Sequence, residues 1–310
     1  MLSQEKVVTN HAMGPAHNGQ GLYKLVLHGQ IAEHAYPGQF VAIRPSDTND
    51  PLLRRPLSIA GIDKKTGELT LCYRLKGPGT TLLSRIPPGA YVDVLGPLGQ
   101  GFSLGRQGFS KTLPDFSEDR PGFQGHPLPA RVILVAGGIG IFSLYALLEH
   151  LLRNPAFWKI LVTVIWGGLD KGFLEHAMAD VLYQLPKENL ILCTMDGSLG
   201  YKGLVTEPLE HLLNTRKTAG TLESPNRFES GGTLVAACGP KVMLHAVAEL
   251  CERFGVPSEV CLEEHMACGL GACLGCSCQI KDETGVVRRG RVCVEGPVFS
   301  GKEVVWHEQI

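Results

Sequence analysis

Residues 268 to 278 read CGLGACLGCSC. Cys268, Cys273 and Cys276 stand in a C-x4-C-x2-C pattern, and Cys293 follows at a distance. That is the plant-type arrangement for a [2Fe–2S] cluster, in which one loop supplies three thiolates and a remote cysteine the fourth. Gly269, Gly271 and Gly275 suit such a loop, because glycine allows the φ values and close backbone approach that three converging thiolates demand. Backbone N–H groups then reach the sulfurs and tune the potential. Two other readings compete. A zinc ribbon needs two C-x2-C pairs, and only one is present; chance crowding of structural thiols leaves the glycines unexplained. Cys278 lies two residues beyond Cys276, on the same side of a strand, and reads as a buried thiol that does not bind metal. Cys72, Cys193, Cys251 and Cys261 occupy apolar contexts and read as core residues.

A second set of residues suits a nucleotide. VAGGIG, 135 to 140, follows a strand-like run and opens a helix, so Gly137, Gly138 and Gly140 let a pyrophosphate approach the helix N-terminus. It is not the G-x-G-x-x-G fingerprint, and a plain strand-to-helix turn is the alternative. In RRPLSIAG, 54 to 61, Arg55 is placed to clamp a phosphate and Ser58 to hydrogen-bond a ring edge; a surface arginine pair is the bland reading. YRLKGPGT, 73 to 80, adds Arg74, a flexible turn and the Thr80 hydroxyl. ACGPKVM, 237 to 243, ends a strand where parallel sheets bind ligands, which puts Cys238 near a nicotinamide ring unless it is simply a buried thiol. Asp170 follows the second strand, where a carboxylate favours a free ribose 2′-hydroxyl and therefore NAD over NADP.

These residues need a scaffold of more than one domain, and 310 residues supply it. Hydrophobic content of 44% and charged content of 19% indicate a folded, soluble protein. A net charge of −1 gives no field to draw the chain onto nucleic acid or an anionic membrane. The N-terminal MLSQEKVVTNHAMG has no apolar signal-peptide core. The longest apolar run, 132 to 148, is interrupted by glycines and falls short of the roughly 20 residues of a membrane span. No membrane span and a reducing, cytoplasmic location are therefore expected, where clustered thiols hold metal more often than disulfides.

Residues 1 to 102 carry short β-type runs such as GELTLCYRL, with turn signals PGQF, DKKTGE and PPGA between them. They predict a small barrel or sandwich. Residues 103 to 130 lack hydrophobic periodicity and read as a linker or insertion. From 131 to 256 apolar strands alternate with helical patterns, including a helix over FLEHAMADVLYQL, and predict a parallel sheet covered on both faces. Residues 213 to 232 read as a second polar insertion, and 257 to 310 hold the cysteines.

Taken together, the motifs resemble the ferredoxin–NADP reductase superfamily. Arg55-Pro56-Leu57-Ser58 stands for its R-x-[YF]-S motif, with Leu57 in place of the aromatic residue. The order barrel, nucleotide domain, cysteine segment is similar to the electron-transfer subunits of class B dihydroorotate dehydrogenases. RRPLS, CYR, GGIG, DGSLG, EEHMACGLGACLGC and CVEGPVF follow in the family's order, and GGIGIFSL departs from the usual GGIGxAPL. The resemblance implies a six-stranded antiparallel β-barrel for FAD, a central α/β parallel-sheet domain for NAD and a small C-terminal [2Fe–2S] domain. It implies FAD contacts at Arg55, Pro56, Leu57, Ser58, Cys72, Tyr73, Arg74, Gly79 and Thr80, and cluster ligands Cys268, Cys273, Cys276 and Cys293. Ser58 and Cys238 become the residues beside the hydride-transfer centre. The implied partner is an FMN-containing dihydroorotate dehydrogenase catalytic subunit, in a heterotetramer of two of each, serving pyrimidine biosynthesis. The alternative of the same architecture is a subunit of an NAD(P)H-dependent ferredoxin, sulfide or hydrogenase-type oxidoreductase. A zinc-bound, non-catalytic module is the expectation of another class.

Overall fold

The computed structural model describes residues 1–14, 21–48, 50–105, 128–178, 180–218, 232–282 and 284–306. Most of the expected insertion at 103–130, and the latter part of that at 213–232, lie outside the described residues.

The first six strands are β1 (Leu2–Ala12), β2 (Leu22–His28), β3 (Phe40–Ile43), β4 (Arg55–Asp63), β5 (Glu68–Arg74) and β6 (Tyr91–Leu98). They close into an antiparallel barrel of order β1-β2-β5-β4-β3-β6. Short helices α1 (Ile31–His34) and α2 (Pro78–Leu83) fill two of the connections. Period-2 alternation fixes which side chains turn inward. In β5, Leu69, Leu71 and Tyr73 are buried while Glu68, Thr70, Cys72 and Arg74 are less so. Val7, Leu25, Ile43, Ile59, Leu71 and Val94 belong to one apolar cluster inside the barrel. A register shift between Ile59 and Gly61 breaks the alternation in β4. Ala60 then packs into the core shared with the second domain rather than inside the barrel.

The second sheet contains β7 (Arg131–Gly137), β8 (Leu161–Gly168), β9 (Leu190–Thr194), β10 (Tyr201–Lys202), β11 (Thr233–Cys238) and β12 (Ser258–Cys261). These strands are parallel. Four helices accompany them: α3 (Ile141–Arg153), α4 (Lys171–Ala177), α5 (Thr206–Thr218) and α6 (Lys241–Phe254). The apolar run of β7 divides by parity. Val132, Leu134 and Ala136 share a core with α3 and α4, and Ile133 and Val135 share one with α5 and α6. Both faces of the sheet are thus covered, which is why β7 shows no polar alternation. Helix α3 is buried along most of its length because it lies between this sheet and barrel strand β4.

Three boundaries differ from the sequence reading. The helix expected over FLEHAMADVLYQL is broken: α4 ends at Ala177 and a 3-10 turn follows at Asp180–Gln184. The buried Tyr145 hydroxyl donates to the Ala177 carbonyl at 2.6 Å, taking an acceptor that a continuing helix would use. Helix α5 runs to Thr218, so the start of the presumed polar insertion is helical. The division at 257 falls inside the sheet, because Ser258–Cys261 pair in register with Val235–Cys238. The C-terminal segment adds a hairpin, β13 (Ser277–Lys281) and β14 (Val287–Arg291), and a last strand β15 (Val298–Ser300), which pairs antiparallel with β12. No helix among the described residues is long and apolar enough to cross a membrane.

Candidate functional site

The cysteine loop leaves β12 and returns through β13. Gly271 has φ +81°, and a Cβ there would lie 2.7 Å from Val294 Cγ2, so only glycine suits this turn. Backbone N–H groups point at the sulfurs. Leu270 donates to Cys268 Sγ at 3.3 Å, Gly275 to Cys273 Sγ at 3.5 Å and Cys293 to Cys276 Sγ at 3.4 Å. The Leu270 N–H, with help from that of Cys273, pulls the Cys268 thiol down to about 6, which favours the thiolate a metal needs. Cys276 and Cys293 are 2% and 1% exposed, whereas Cys273 is open to solvent. Desolvation, and then the hydrogen bond shared with Cys276, push the Cys293 thiol up to about 12.

Cys276 and Cys293 adjoin each other in the interior, where the Cys293 N–H reaches Cys276 Sγ, while Cys268 and Cys273 lie nearer the surface. No three His, Cys, Asp or Glu side chains among the described residues close on a single point as one metal ion requires. A two-iron cluster takes two thiolates per iron, and this donor set, with N–H groups on the sulfurs, fits it. Cys278 lies in the apolar cluster beneath the loop, and burial pushes its thiol to about 12. The loop also rests on the barrel: a Cβ on Gly269 would lie 3.3 Å from Leu98 Cδ1 of β6.

On the barrel, the Arg55 side chain lies across Gly79. A Cβ at Gly79 would stand 2.2 Å from Arg55 Nε, and that Nε is buried without a hydrogen-bond partner. The Thr80 hydroxyl accepts from Lys76 N at 2.9 Å and Gly77 N at 3.3 Å, which fixes the turn into α2. An orphaned cationic donor over a glycine cradle fits a pyrophosphate. Pro56 is exposed and Ser58 half-buried on the barrel's outer side. Cys72 packs on the core shared with the second domain, where burial pushes its thiol to about 12. Arg74 lies over the Phe173 ring at 5.6 Å.

At two of the expected contacts the side chains turn into the barrel. Leu57 belongs to the barrel's interior cluster. Tyr73 is 3% exposed, stacks on Tyr23 and donates to Asn10 Oδ1 at 3.1 Å. Strand parity sends both side chains inward, so only their backbones remain for a ligand.

Between barrel and sheet lies a cavity of about 510 Å³, bounded by Leu22 and Arg74 on one side and by Gly137, Gly138, Gly167 and Met195 at the C-terminal strand ends on the other. A second, of about 340 Å³, shares Arg74, Gly137, Gly138 and Pro240 and continues along Gly140 to Lys241, Glu263 and Glu264. At Gly140 a Cβ would stand 2.4 Å from the Cys238 carbonyl oxygen, so the glycine turn sits directly on the end of β11. Cys238 itself is fully buried beside its strand partner Cys261 and lines neither cavity. Asp170 caps α4, accepting from Phe173 N at 2.9 Å, so its carboxylate is already engaged by the helix. Sequence reasoning missed Asp196, an exposed carboxylate next to Met195 at the cavity rim. Ser198 holds it through its N–H at 2.9 Å and hydroxyl at 2.7 Å, and those bonds keep its pKa below the ordinary carboxylate value. The signal was an acidic residue just after the third strand. Glu263 was missed too, because nothing in its neighbours marks it as lining a cavity.

Residues 263–305 match the family model of the iron–sulfur cluster binding domain of dihydroorotate dehydrogenase B. A dihydroorotate dehydrogenase B (NAD(+)) electron transfer subunit of Desulforamulus reducens is 38% identical over 89% of this chain and 89% of its own length. The protein of that name from a Geobacillus strain is 35% identical over 98% of this chain and 100% of its own length. Among solved structures, the NADH-dependent reduced ferredoxin-NADP oxidoreductase has a TM-score of 0.68 at 25% identity, covering 98% of this chain and 90% of that one. A ferredoxin NADP+ reductase from Neisseria gonorrhoeae with bound FAD and NADP has a TM-score of 0.55 at 15% identity over 82% of this chain and 92% of its own, a likeness of fold.

Proposed function

The chain belongs to the family of dihydroorotate dehydrogenase B electron transfer subunits, and on that premise we propose that it relays electrons from a dihydroorotate-oxidising partner to NAD+. The observation that carries this reading is the cysteine segment, whose loop lies against the flavin-type barrel at Leu98 and whose last strand, β15, pairs with β12 of the nucleotide-type sheet. When bound, a [2Fe–2S] cluster passes electrons singly, and FAD exchanges them singly with the cluster and in pairs, as hydride, with the nicotinamide.

The chain's own residues supply placement. Cys268, Cys273, Cys276 and Cys293 would hold the cluster. Arg55 and the Gly79–Thr80 turn would hold the pyrophosphate, and Ser58 and Arg74 would contribute polar groups on the flavin side. Gly137, Gly138 and Gly140 let the nicotinamide nucleotide lie against the strand ends, with Cys238 as the buried support under that turn. Asp196, rather than Asp170, discriminates against a 2′-phosphate, because its carboxylate is exposed at the rim.

An FMN-containing catalytic subunit docks at the rim of the loop, in an assembly of two copies of each chain. Leu270 and Leu274, 60% and 62% exposed, flank the open Cys273 there. Leu274 also has φ 58°, an unfavourable conformation for leucine that displays an apolar side chain to solvent. The thiolate loop suits a reducing compartment, and we place the protein in the cytoplasm. A ferredoxin-type oxidoreductase role, the other reading of this architecture, has a weaker basis: identity is 25% to the ferredoxin-NADP oxidoreductase against 38% and 35% to the dihydroorotate dehydrogenase B subunits.

Anaerobic purification with a candidate catalytic chain tests the reading. Flavin and iron–sulfur absorbance should appear, dihydroorotate should reduce NAD+ only when both chains are present, and the mass should match two of each. Absence of both chromophores after reconstitution would sink it.

A further inference from the structure

A third cavity lies away from the cofactor sites, on the seam where α3 meets the barrel. It measures about 300 Å³, the small end of the range for ligand sites. Its barrel wall includes Pro37, Ile62 and Lys64, and its helix wall Ala146, Glu149 and Arg153. The helix residues share one flank of α3, because positions three and four apart are neighbours on a helix surface. Neither wall serves the relay. Arg55 and Ser58 stand at the other end of β4. The glycine turn stands at the other end of α3, roughly 20 Å away along a helix of 13 residues.

The charges on this lining do not cancel. Lys64 and Arg153 are exposed cations from opposite walls, and Glu149 is a half-buried anion. Arg153 holds Glu149 Oε1 at 2.7 Å. Glu149 Oε2 lies over Gly61 of β4, 3.7 Å from where a Cβ would stand. Among the described residues Lys64 makes no hydrogen bond or ion pair, and its ammonium stands 5.7 Å from the centre of the Tyr36 ring. His150, also on the lining, is neutral near neutrality, because desolvation and the Lys64 charge hold its pKa below the ordinary 6.5. Outside the lining, Lys24 and Asp63 act on Glu149 with opposite signs. One positive charge is left over, on Lys64.

That pattern selects a ligand. The two cations call for one negative charge, held by charge-assisted hydrogen bonds. Glu149 repels a second negative charge and offers an acceptor to an N–H. Pro37, Ile62 and Ala146 supply apolar surface for a flat ring. We propose that the seam cavity binds a single-ring heterocyclic monoanion, with its carboxylate on Lys64 and Arg153 and a ring N–H on Glu149. The ligand thereby clamps the barrel to α3. This site lies beyond the electron-relay reading and does not depend on it.

Calorimetric titration of the full chain with its cofactors, without a catalytic partner, tests this with three probes. Orotate, the oxidised form of dihydroorotate, carries a ring carboxylate and ring N–H groups. Benzoate lacks the N–H, and inorganic phosphate brings a second charge. Orotate should saturate one site and bind at least about tenfold more tightly than either of the others, the worth of one hydrogen bond to a charged group. Lys64→Met should weaken orotate binding by roughly tenfold while flavin loading and reduction by NADH stay unchanged. Glu149→Gln should close the gap between orotate and benzoate. Hydrogen exchange read by mass spectrometry locates the ligand, and protection should rise at 62–64 and 146–154. No saturation by orotate up to about 10 mM would overturn the proposal, since a specific site of this kind binds more tightly than that. Equal affinity for benzoate or phosphate, protection confined to other segments, or unchanged orotate binding in Lys64→Met would overturn it too. If a variant does not load its cofactors, the order of the three probes and the exchange footprint of the unchanged chain decide. An unchanged chain that holds no flavin, or exchanges no hydride with NADH, would instead overturn the relay reading and leave this site to the same titration.

Discussion

The barrel and the cysteine loop are held by different forces. The barrel buries Val7, Leu25, Leu27, Leu71 and Val94 completely, and each of its strands is paired on both sides. Each such side chain contributes roughly 1.5–3 kcal/mol through burial. The loop from Glu263 to Cys276 has no regular strand or helix, and its turns are tied by N–H groups aimed at sulfur. Thiols are poor acceptors, and thiolates bound to iron are good ones. The barrel is thus complete as an apolar object, whereas the loop is complete only as a metal ligand set.

The sharpest way to break that contrast is to remove the metal. Chelation, or Cys276→Ser or Cys293→Ser, should abolish the iron–sulfur absorbance and raise amide exchange across 263–305. The barrel and the parallel sheet should stay protected. Hydrogen exchange read by mass spectrometry checks this, and a barrel that opens together with the loop would mean the two regions form one cooperative unit. Cys273→Ser at the exposed rim should weaken rather than abolish the cluster, and Cys278→Ser should leave its spectrum intact.

Next in size is flavin retention. Arg55 Nε is buried without a partner, which costs about 1–3 kcal/mol in the flavin-free protein. Arg55→Met should therefore raise the melting temperature of the flavin-free chain, while weakening FAD binding by roughly 10- to 100-fold through loss of a charge-assisted contact. Gly79→Ala should also weaken binding, because its methyl group would displace the guanidinium, 2.2 Å away at Nε. Fluorescence titration of the stripped protein with FAD separates the two signs. Equal losses of stability and affinity in Arg55→Met would mean that the arginine serves packing instead.

What the sequence revealed about each region follows the same division. The iron–sulfur domain was legible because the cysteines of one loop are neighbours in sequence, so spacing alone marks it. The parallel sheet was legible because burying both faces leaves an unbroken apolar run in β7. The side of the barrel to which Leu57 and Tyr73 turn was not legible. Strand phase depends on where pairing begins and on the register shift at Gly61, and neither has a local mark. The contact of Arg55 with Gly79 joins separate elements, and Asp170 looked like a ribose ligand because a helix N-cap and a nucleotide contact favour the same residue at a strand end.

A smaller effect is expected at the rim of the large cavity. Asp196→Ser removes an anionic group without touching either core, and should lower the preference for NADH over NADPH by roughly tenfold, about the worth of one exposed charge against a phosphate. Steady-state dye reduction with each nucleotide measures it. An unchanged ratio would return the role to another group on that rim.

The smallest effect belongs to the seam where α3 meets the barrel. His150 packs at a tilt against Phe157, ring centroids 5.3 Å apart, and desolvation, assisted by the nearby Lys64 charge, holds its pKa below the ordinary 6.5. A depressed histidine pKa means the unfolded chain binds the proton more readily. The neutral ring's full contribution is present above pH 6.5 and is lost as pH falls toward the folded-state pKa. Thermal melts between pH 7 and pH 5 should show stability declining with acid, and His150→Gln should flatten that decline while leaving the iron–sulfur spectrum unchanged. If the histidine substitution instead shifted the acid lability of the cluster, the barrel–sheet seam and the loop would be energetically coupled through β4 and α3. The separation of an apolar frame from a metal-dependent loop would then have to be redrawn as a single unit.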